Sequence, residues 1–174
     1  MPRQPNVIHF HKNSLASLDK FPKHPEFTIS QEGLALYAKI QEIANDVFVA
    51  LGDVYREEIY SQALAHDIRL LGYEVETEVE CDVLYKSTII GKIRADLVAI
   101  KSDTSFIIES KKVDYYKGVM QLLGYMKSLN IPLGFTVGLK KDGAKVWCVL
   151  IDEESGVKYM YDGLHVREIQ GGGS

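Results

Sequence analysis

Hydrophobic positions along this chain follow two helical rhythms and then a run of strand-like ones. From Gln31 to Leu51, Leu36 and Tyr37, Ile40, Ile43 and Ala44, Val47 and Phe48, and Leu51 recur at the spacing of one helix face, and Gly52 supplies a stop. A second helix is predicted from about Val54 to Leu71, with Glu57, Tyr60, Leu64, Ile68 and Leu71 along one stripe and Gly72 closing it. The period then drops to two. In Tyr73 to Tyr85 the odd positions Val75, Thr77, Val79, Cys81, Val83 and Tyr85 form one face, and Glu74, Glu76, Glu78, Glu80 and Asp82 form a solvated one.

Strands are expected near 73–86, 89–100 and 105–112, a helix near 114–129, and strands near 132–139 and 145–151 joined by Lys140-Lys141-Asp142-Gly143. The tail adds a short hairpin around Asp162-Gly163. Residues 1–30 hold four of the five prolines and few periodic apolar positions, so they read as an N-terminal arm. Residues 31–170 read as a single α/β domain, and 171–174 as a flexible tail or linker. His9-x-His11 in the arm is too little for a metal site.

Composition narrows the class. A chain of 174 residues with 46% hydrophobic content suits one globular domain with a full-sized core. No apolar run approaches the roughly 18–20 residues of a membrane span, and Met1-Pro2-Arg3-Gln4-Pro5-Asn6 leads into no apolar leader, so an intracellular setting and no membrane partner are expected. Cys81 and Cys148 lie in strand-like apolar stretches and read as buried free thiols. The net charge of −4 sits awkwardly with a polyanionic partner. Five of the acids, however, belong to the solvated face of 73–85, whereas Lys111, Lys112, Lys117, Lys127, Lys140, Lys141 and Lys145 fall in the half that carries the candidate chemistry.

That chemistry centres on Glu109-Ser110-Lys111, at the end of the apolar run 105–108. If the connection at Lys101-Ser102-Asp103-Thr104 turns between Ser102 and Asp103, residues whose numbers sum to 205 face each other. Asp96 then opposes Glu109 with Cβ atoms about 4.5–5.5 Å apart, and Arg94 opposes Lys111. Two carboxylates so close repel unless a cation sits between them, and a hard divalent ion prefers such oxygens. Glu-x-Lys on a strand is also what a plain solvated face looks like.

Two further positions leave alternatives open. Glu57 heads an otherwise apolar stripe, where it either favours the helix dipole near the surface or is held by a partner such as a metal, with Glu58 a competitor. Gln121 and Tyr125, spaced i, i+4, share a helix face beside the apolar Leu122, Leu123 and Met126. There Gln121 could bond a site lysine or a nucleotide, or simply cap a loop.

Together these residues resemble the PD-(D/E)XK nuclease superfamily. Gln121-Leu122-Leu123-Gly124-Tyr125 is similar to the Q-x-x-x-Y motif of RecB-type nucleases. Leu51-Gly52, Glu57-x-x-Tyr60-x-x-Ala63-Leu64, Gly72-Tyr73, Tyr85-Lys86, Arg94-Ala95-Asp96-Leu97, Glu109-x-Lys111, Gln121-x-x-x-Tyr125 and Leu133-Gly134 follow the order of the GxxExxR proteins over about residues 35–139. The chain departs from that pattern at Val54, where a glycine is common, and at Ser110, where a leucine is.

The resemblance implies a restriction-endonuclease-like αβββαβ core, a mixed central sheet flanked by helices, with an extra N-terminal helix. It also implies Mg²⁺- or Mn²⁺-dependent hydrolysis of nucleic acid, with DNA the expected substrate. Glu57, Asp96, Glu109 and the Ser110 carbonyl would hold the ion. Lys111 would orient water and steady charge on the phosphate, with Gln121 in support. Gln121, Tyr125, Arg94, Lys112 and Lys117 would contact nucleic acid. A catalytically inactive descendant that binds nucleic acid or a protein partner is the alternative, and a homodimer is compatible with the fold class.

Overall fold

The computed structural model of the chain describes residues 10–11, 28–102, 104–112 and 115–170. Most of the expected arm, including His9, and the expected tail 171–174 lie outside the described residues. Elements follow in the order β1 Phe10–His11, β2 Thr28–Ile29, α1 Gln31–Leu51, α2 Glu57–Leu70, β3 Glu74–Tyr85, β4 Thr88–Lys101, β5 Thr104–Lys111, α3 Tyr115–Leu129, β6 Leu133–Lys140, β7 Gly143–Ile151, β8 Lys158–Tyr161 and β9 Val166–Glu168. Strands β3 to β9 form one seven-stranded sheet in sequence order. Its neighbours pair antiparallel except β5 and β6, which run parallel because α3 crosses over between them. This is the mixed α/β, restriction-endonuclease-like fold that the resemblance implies. Among the described residues no helix is long and apolar enough to cross a membrane.

The helical rhythms convert directly into packing. Helix α1 starts where Ser30 Oγ accepts the Gly33 N–H at 3.1 Å, and it ends at Gly52, whose φ of 67° is the left-handed backbone a helix stop requires. Its stripe Tyr37, Ile40, Ile43, Ala44 and Val47 is buried, as are Tyr60, Leu64 and Ile68 of α2. Both helices cover one face of the sheet, meeting Leu97, Ala99, Phe106 and Ile108. On the other face α3 brings Val119, Leu122, Leu123, Tyr125 and Met126 against Ala95, Val98, Ile107 and Val149. Cys81 and Cys148 are free and buried, as expected.

Two expectations need correction. Helix α2 begins at Glu57 rather than near Val54. The stretch before it is spent on other partners: Tyr55 N–H donates to the Tyr60 hydroxyl at 3.2 Å, and the Lys112 ammonium takes the carbonyls of Asp53 at 2.6 Å and Tyr55 at 2.9 Å.

The second correction concerns the inward face of β3, which does not stay on one layer. Val75 packs with α1 and α2, whereas Val79 and Cys81 pack with α3, and across the ladder Leu97 and Ala99 part company with Ala95 in the same way. The switch falls at Glu78, whose φ is 55°. A left-handed residue inside a strand twists the ribbon sharply, and the residue between Ala95 and Leu97 is Asp96. The five acids of β3 are exposed as expected, but so is Tyr85, because the ribbon runs on past the helices.

Candidate active site

The β4–β5 register is the one the turn implies. Lys101 pairs with Thr104 and Leu97 with Ile108, so paired numbers sum to 205, with Asp103 outside the described residues. The ladder stops at Leu97, however, because β4 leaves β5 there and continues with β3 alone. Asp96 is therefore not held as a plain cross-strand partner of Glu109. Its Oδ2 reaches past the end of the ladder and accepts the backbone N–H of Ser110 at 3.0 Å and the Ser110 hydroxyl at 3.1 Å. For the same reason Arg94 does not oppose Lys111. It lies exposed on the ribbon across from Glu80, and is near enough to Tyr125 for its charge to act on that phenol.

Glu57, Asp96, Glu109 and Lys111 converge at this fork. Lys111 Nζ lies 3.0 Å from Glu109 Oε1 and 3.8 Å from Glu57 Oε2, bridging strand and helix. Glu57 Oε1 accepts the backbone N–H of Lys112 at 3.1 Å, which fixes the first turn of α2 on the end of β5. Glu58 is exposed, and it is Glu57 that reaches this fork. Lys112 turns its ammonium to the Asp53 and Tyr55 carbonyls and lies over the Tyr60 ring, 5.7 Å from its centroid. Tyr60 in turn donates to the Gly52 carbonyl at 2.7 Å. Lys112 thus clamps the α1–α2 connection beside Glu57, while Lys117 is exposed on the first turn of α3.

Burial governs the electrostatics. Glu109 has a side chain only 2% exposed. Burial and then the neighbouring Asp96 charge push its carboxyl up to about 7, against the pull of Lys111. Asp96 is raised too, by burial that outweighs its two bonds from Ser110. For Lys111 burial opposes the charge, but the hydrogen bond and charge of Glu109 prevail and raise its pKa. Tyr125 is pushed up to about 12 by burial and by the charges of Glu109 and Asp96.

Among the described residues, no three acidic, histidine or cysteine side chains stand together as a ready metal cluster. The cation among these carboxylates is Lys111. Yet the donor set suits a hard divalent ion, because Glu109 Oε2 is buried without a partner among the described residues and the oxygens are carboxylate and carbonyl in kind. Gln121 Oε1 and Thr136 Oγ1 are likewise buried and unpartnered. Thr136 sits beside Glu109 in the parallel β5–β6 register.

Three residues of this neighbourhood escape the sequence reading. Ser61 stands four residues after Glu57 and so on its face, a polar residue in an apolar stripe. Thr136 is the one hydroxyl in a strand otherwise made of apolar residues and glycine up to its final Lys140. Both carried a signal of that kind. Gly118 carried none: a Cβ there would lie 3.0 Å from Lys111 Cγ and 3.0 Å from Thr136 Cγ2.

No curated protein matches the chain. Among solved structures, "Crystal structure of SSO0001" is similar at 23% identity, covering 64% of this chain and 65% of that one, less than two thirds of its length. Its TM-score of 0.35 adds nothing to the fold assignment. The family model described as the PD-(D/E)XK nuclease superfamily matches residues 35–147, a span that contains Glu57, Asp96, Glu109, Lys111, Gln121 and Tyr125. The chain belongs to the PD-(D/E)XK nuclease superfamily.

Proposed function

We propose that the protein is a metal-dependent nuclease that hydrolyses phosphodiester bonds, with DNA as its substrate, and that it stands among the GxxExxR proteins of its superfamily. The observation that carries this reading is the buried Glu109 carboxylate, paired with Lys111 on one oxygen and, among the described residues, left without a partner on the other, beside Asp96. A purely structural carboxylate would not be kept half-satisfied at such depth, where an unpaired charge is costly.

In this mechanism Glu57, Asp96, Glu109 and the Ser110 carbonyl hold Mg²⁺ or Mn²⁺. When bound, the ion supplies Lewis acidity toward water and the phosphate oxygens. The chain's own residues do the rest. Lys111 stands among the acids before substrate arrives and turns its ammonium to the scissile phosphate when it does. Gln121 hydrogen-bonds near the same phosphate from α3, and Tyr125 supports it as a neutral phenol at any physiological pH. Arg94 on the ribbon and Lys117 on α3 flank the fork and attract the strand on either side. Lys112 contributes by holding the rim beside Glu57.

Purified protein incubated with single-stranded, duplex and branched DNA and with RNA, in Mg²⁺ or Mn²⁺ against EDTA, tests the reading. Cleavage that requires the metal and disappears in Asp96→Ala and Lys111→Ala is the expected outcome. Cleavage surviving both substitutions sinks the site, and tight metal-independent binding without cleavage favours an inactive descendant.

A further inference from the structure

The Asp96 carboxylate ends a chain of hydroxyls that begins on α2. Ser61 Oγ lies 2.7 Å from Ser110 Oγ, and Ser110 Oγ lies 3.1 Å from Asp96 Oδ2. Ser110 is fully buried and Ser61 is 7% exposed, so water has little access to either. Proton accounting sets the direction. A hydroxyl has one hydrogen to give, and a carboxylate can only accept. Ser110 O–H therefore donates to Asp96, and the short contact is made by Ser61 O–H donating to Ser110. The Glu57 carbonyl, 3.3 Å from Ser61 Oγ, competes for that hydrogen at longer range. Each donor in such a chain is strengthened by the one behind it.

We infer that Ser61 and Ser110 are positioning residues, a hydroxyl strut that fixes the Asp96 carboxylate and its spacing from Glu57. Two donors from Ser110 hold Oδ2, which leaves Oδ1 for the cleft. Ser61 is one turn along from Glu57 on the same helix face, so the strut ties the two acids from α2 and β4 into one frame through β5. Neither hydroxyl touches the ion or a reacting atom, and Ser110 would meet the ion through its backbone carbonyl alone. Metal affinity depends on such outer partners by factors of about ten to a hundred. In its metal-binding consequence the inference rests on the reading proposed above.

The test pairs a metal-free readout with a metal-binding one. Hydrogen exchange of the Ser110 amide, which the Asp96 carboxylate protects, is measured in EDTA for wild type, Ser61→Ala, Ser110→Ala, the double variant and Ser61→Thr. Binding of Mn²⁺ is followed by electron paramagnetic resonance on the same proteins. Ser61→Ala is expected to accelerate exchange at Ser110 by about ten-fold and to weaken Mn²⁺ binding by about ten-fold. Ser61→Thr, which keeps the hydroxyl, restores both. Because Ser61 acts only through Ser110, the double variant should match Ser110→Ala within about two-fold in Mn²⁺ affinity.

An additive double variant, or a Ser61→Ala protein equal to wild type in both measurements, overturns the strut. If wild type binds no Mn²⁺, the metal reading falls separately and exchange decides alone. Accelerated exchange in Ser61→Ala then supports the strut, and unchanged exchange removes it.

Discussion

Strand β5 is two different materials along its length. Phe106, Ile107 and Ile108 are buried on both faces, with the Phe106 ring edge-on to Tyr73 at 5.1 Å and to Phe135 at 5.4 Å. The next two residues, Glu109 and Ser110, are just as deep, yet one carries a half-satisfied charge and the other is the middle link of a hydroxyl chain. Apolar burial at the first end stabilises roughly in proportion to the area removed from water. At the second end burial works against the charged groups placed there, and the cost is accepted where β4 departs and the sheet opens. The strand's ordinary half thus holds its strained half in place, a division in which fold and chemistry can be perturbed separately.

The largest effect should come from breaking that division at each end in turn. Phe106→Ala removes a ring from a closed aromatic cluster and is expected to cost about 3–5 kcal/mol in urea unfolding. Glu109→Gln removes a charge that burial disfavours, so the fold should keep or gain stability in the same assay. On the proposed function cleavage should nevertheless fall by about a hundred-fold or more, as losing a ligand to a catalytic ion would cost. A Glu109→Gln protein destabilised as much as Phe106→Ala would erase the contrast between the ends.

A subtler test uses pH. The folded-state pKa of Glu109 is raised from 4.5 to about 7, so the folded protein holds a proton there that the unfolded chain has already lost. Stability from this group is complete below about pH 4.5 and is lost as pH rises through about 7. Asp96 shifts in the same direction. In EDTA the melting temperature should therefore fall between about pH 5 and pH 8 more steeply for wild type than for Glu109→Gln. Added Mg²⁺ should recover the loss at the high end of that range and do little at the low end. Equal slopes in the two proteins would mean that the charge at the polar end costs nothing.

These two halves were not equally legible in the sequence. The apolar half was, because period two and period 3.6 are imposed by the backbone and need no partner to be seen. The stripes of α1 and α2, the 205 register and the buried run 106–108 all follow from it. The acids and Lys111 were legible as residue types in order, and Glu57 separated from Glu58 only through the phase of its helix. What could not be read was where β4 lets go of β5. The positive φ of Glu78 leaves no mark in composition, nor does the end of the ladder beyond which Asp96 reaches Ser110 and Arg94 stands apart from Lys111. The role of Lys112 was equally hidden, since its partners are carbonyls that any sequence would offer.

The smallest expected effect probes how closely the polar end is held. Gly118 of α3 lies over the aliphatic part of Lys111, and an added methyl would press on Lys111 and Thr136 alike. Thr136 is fully buried and β-branched, so it cannot yield, whereas the lysine stem can swing. Alanine also gains up to about 1 kcal/mol of helix propensity over glycine, which offsets the crowding. Gly118→Ala should therefore leave thermal stability within about 1 kcal/mol of wild type. Displacing the Lys111 ammonium from its 3.0 Å contact with Glu109 should lower cleavage by about ten-fold, since misplacement of a catalytic group by an ångström costs that much or more. Unfolding curves and single-turnover cleavage on one preparation separate the two effects. A protein destabilised in proportion to its lost activity would mean that α3 belongs to the ordinary half of the comparison, as support for the sheet, and does not set the position of Lys111.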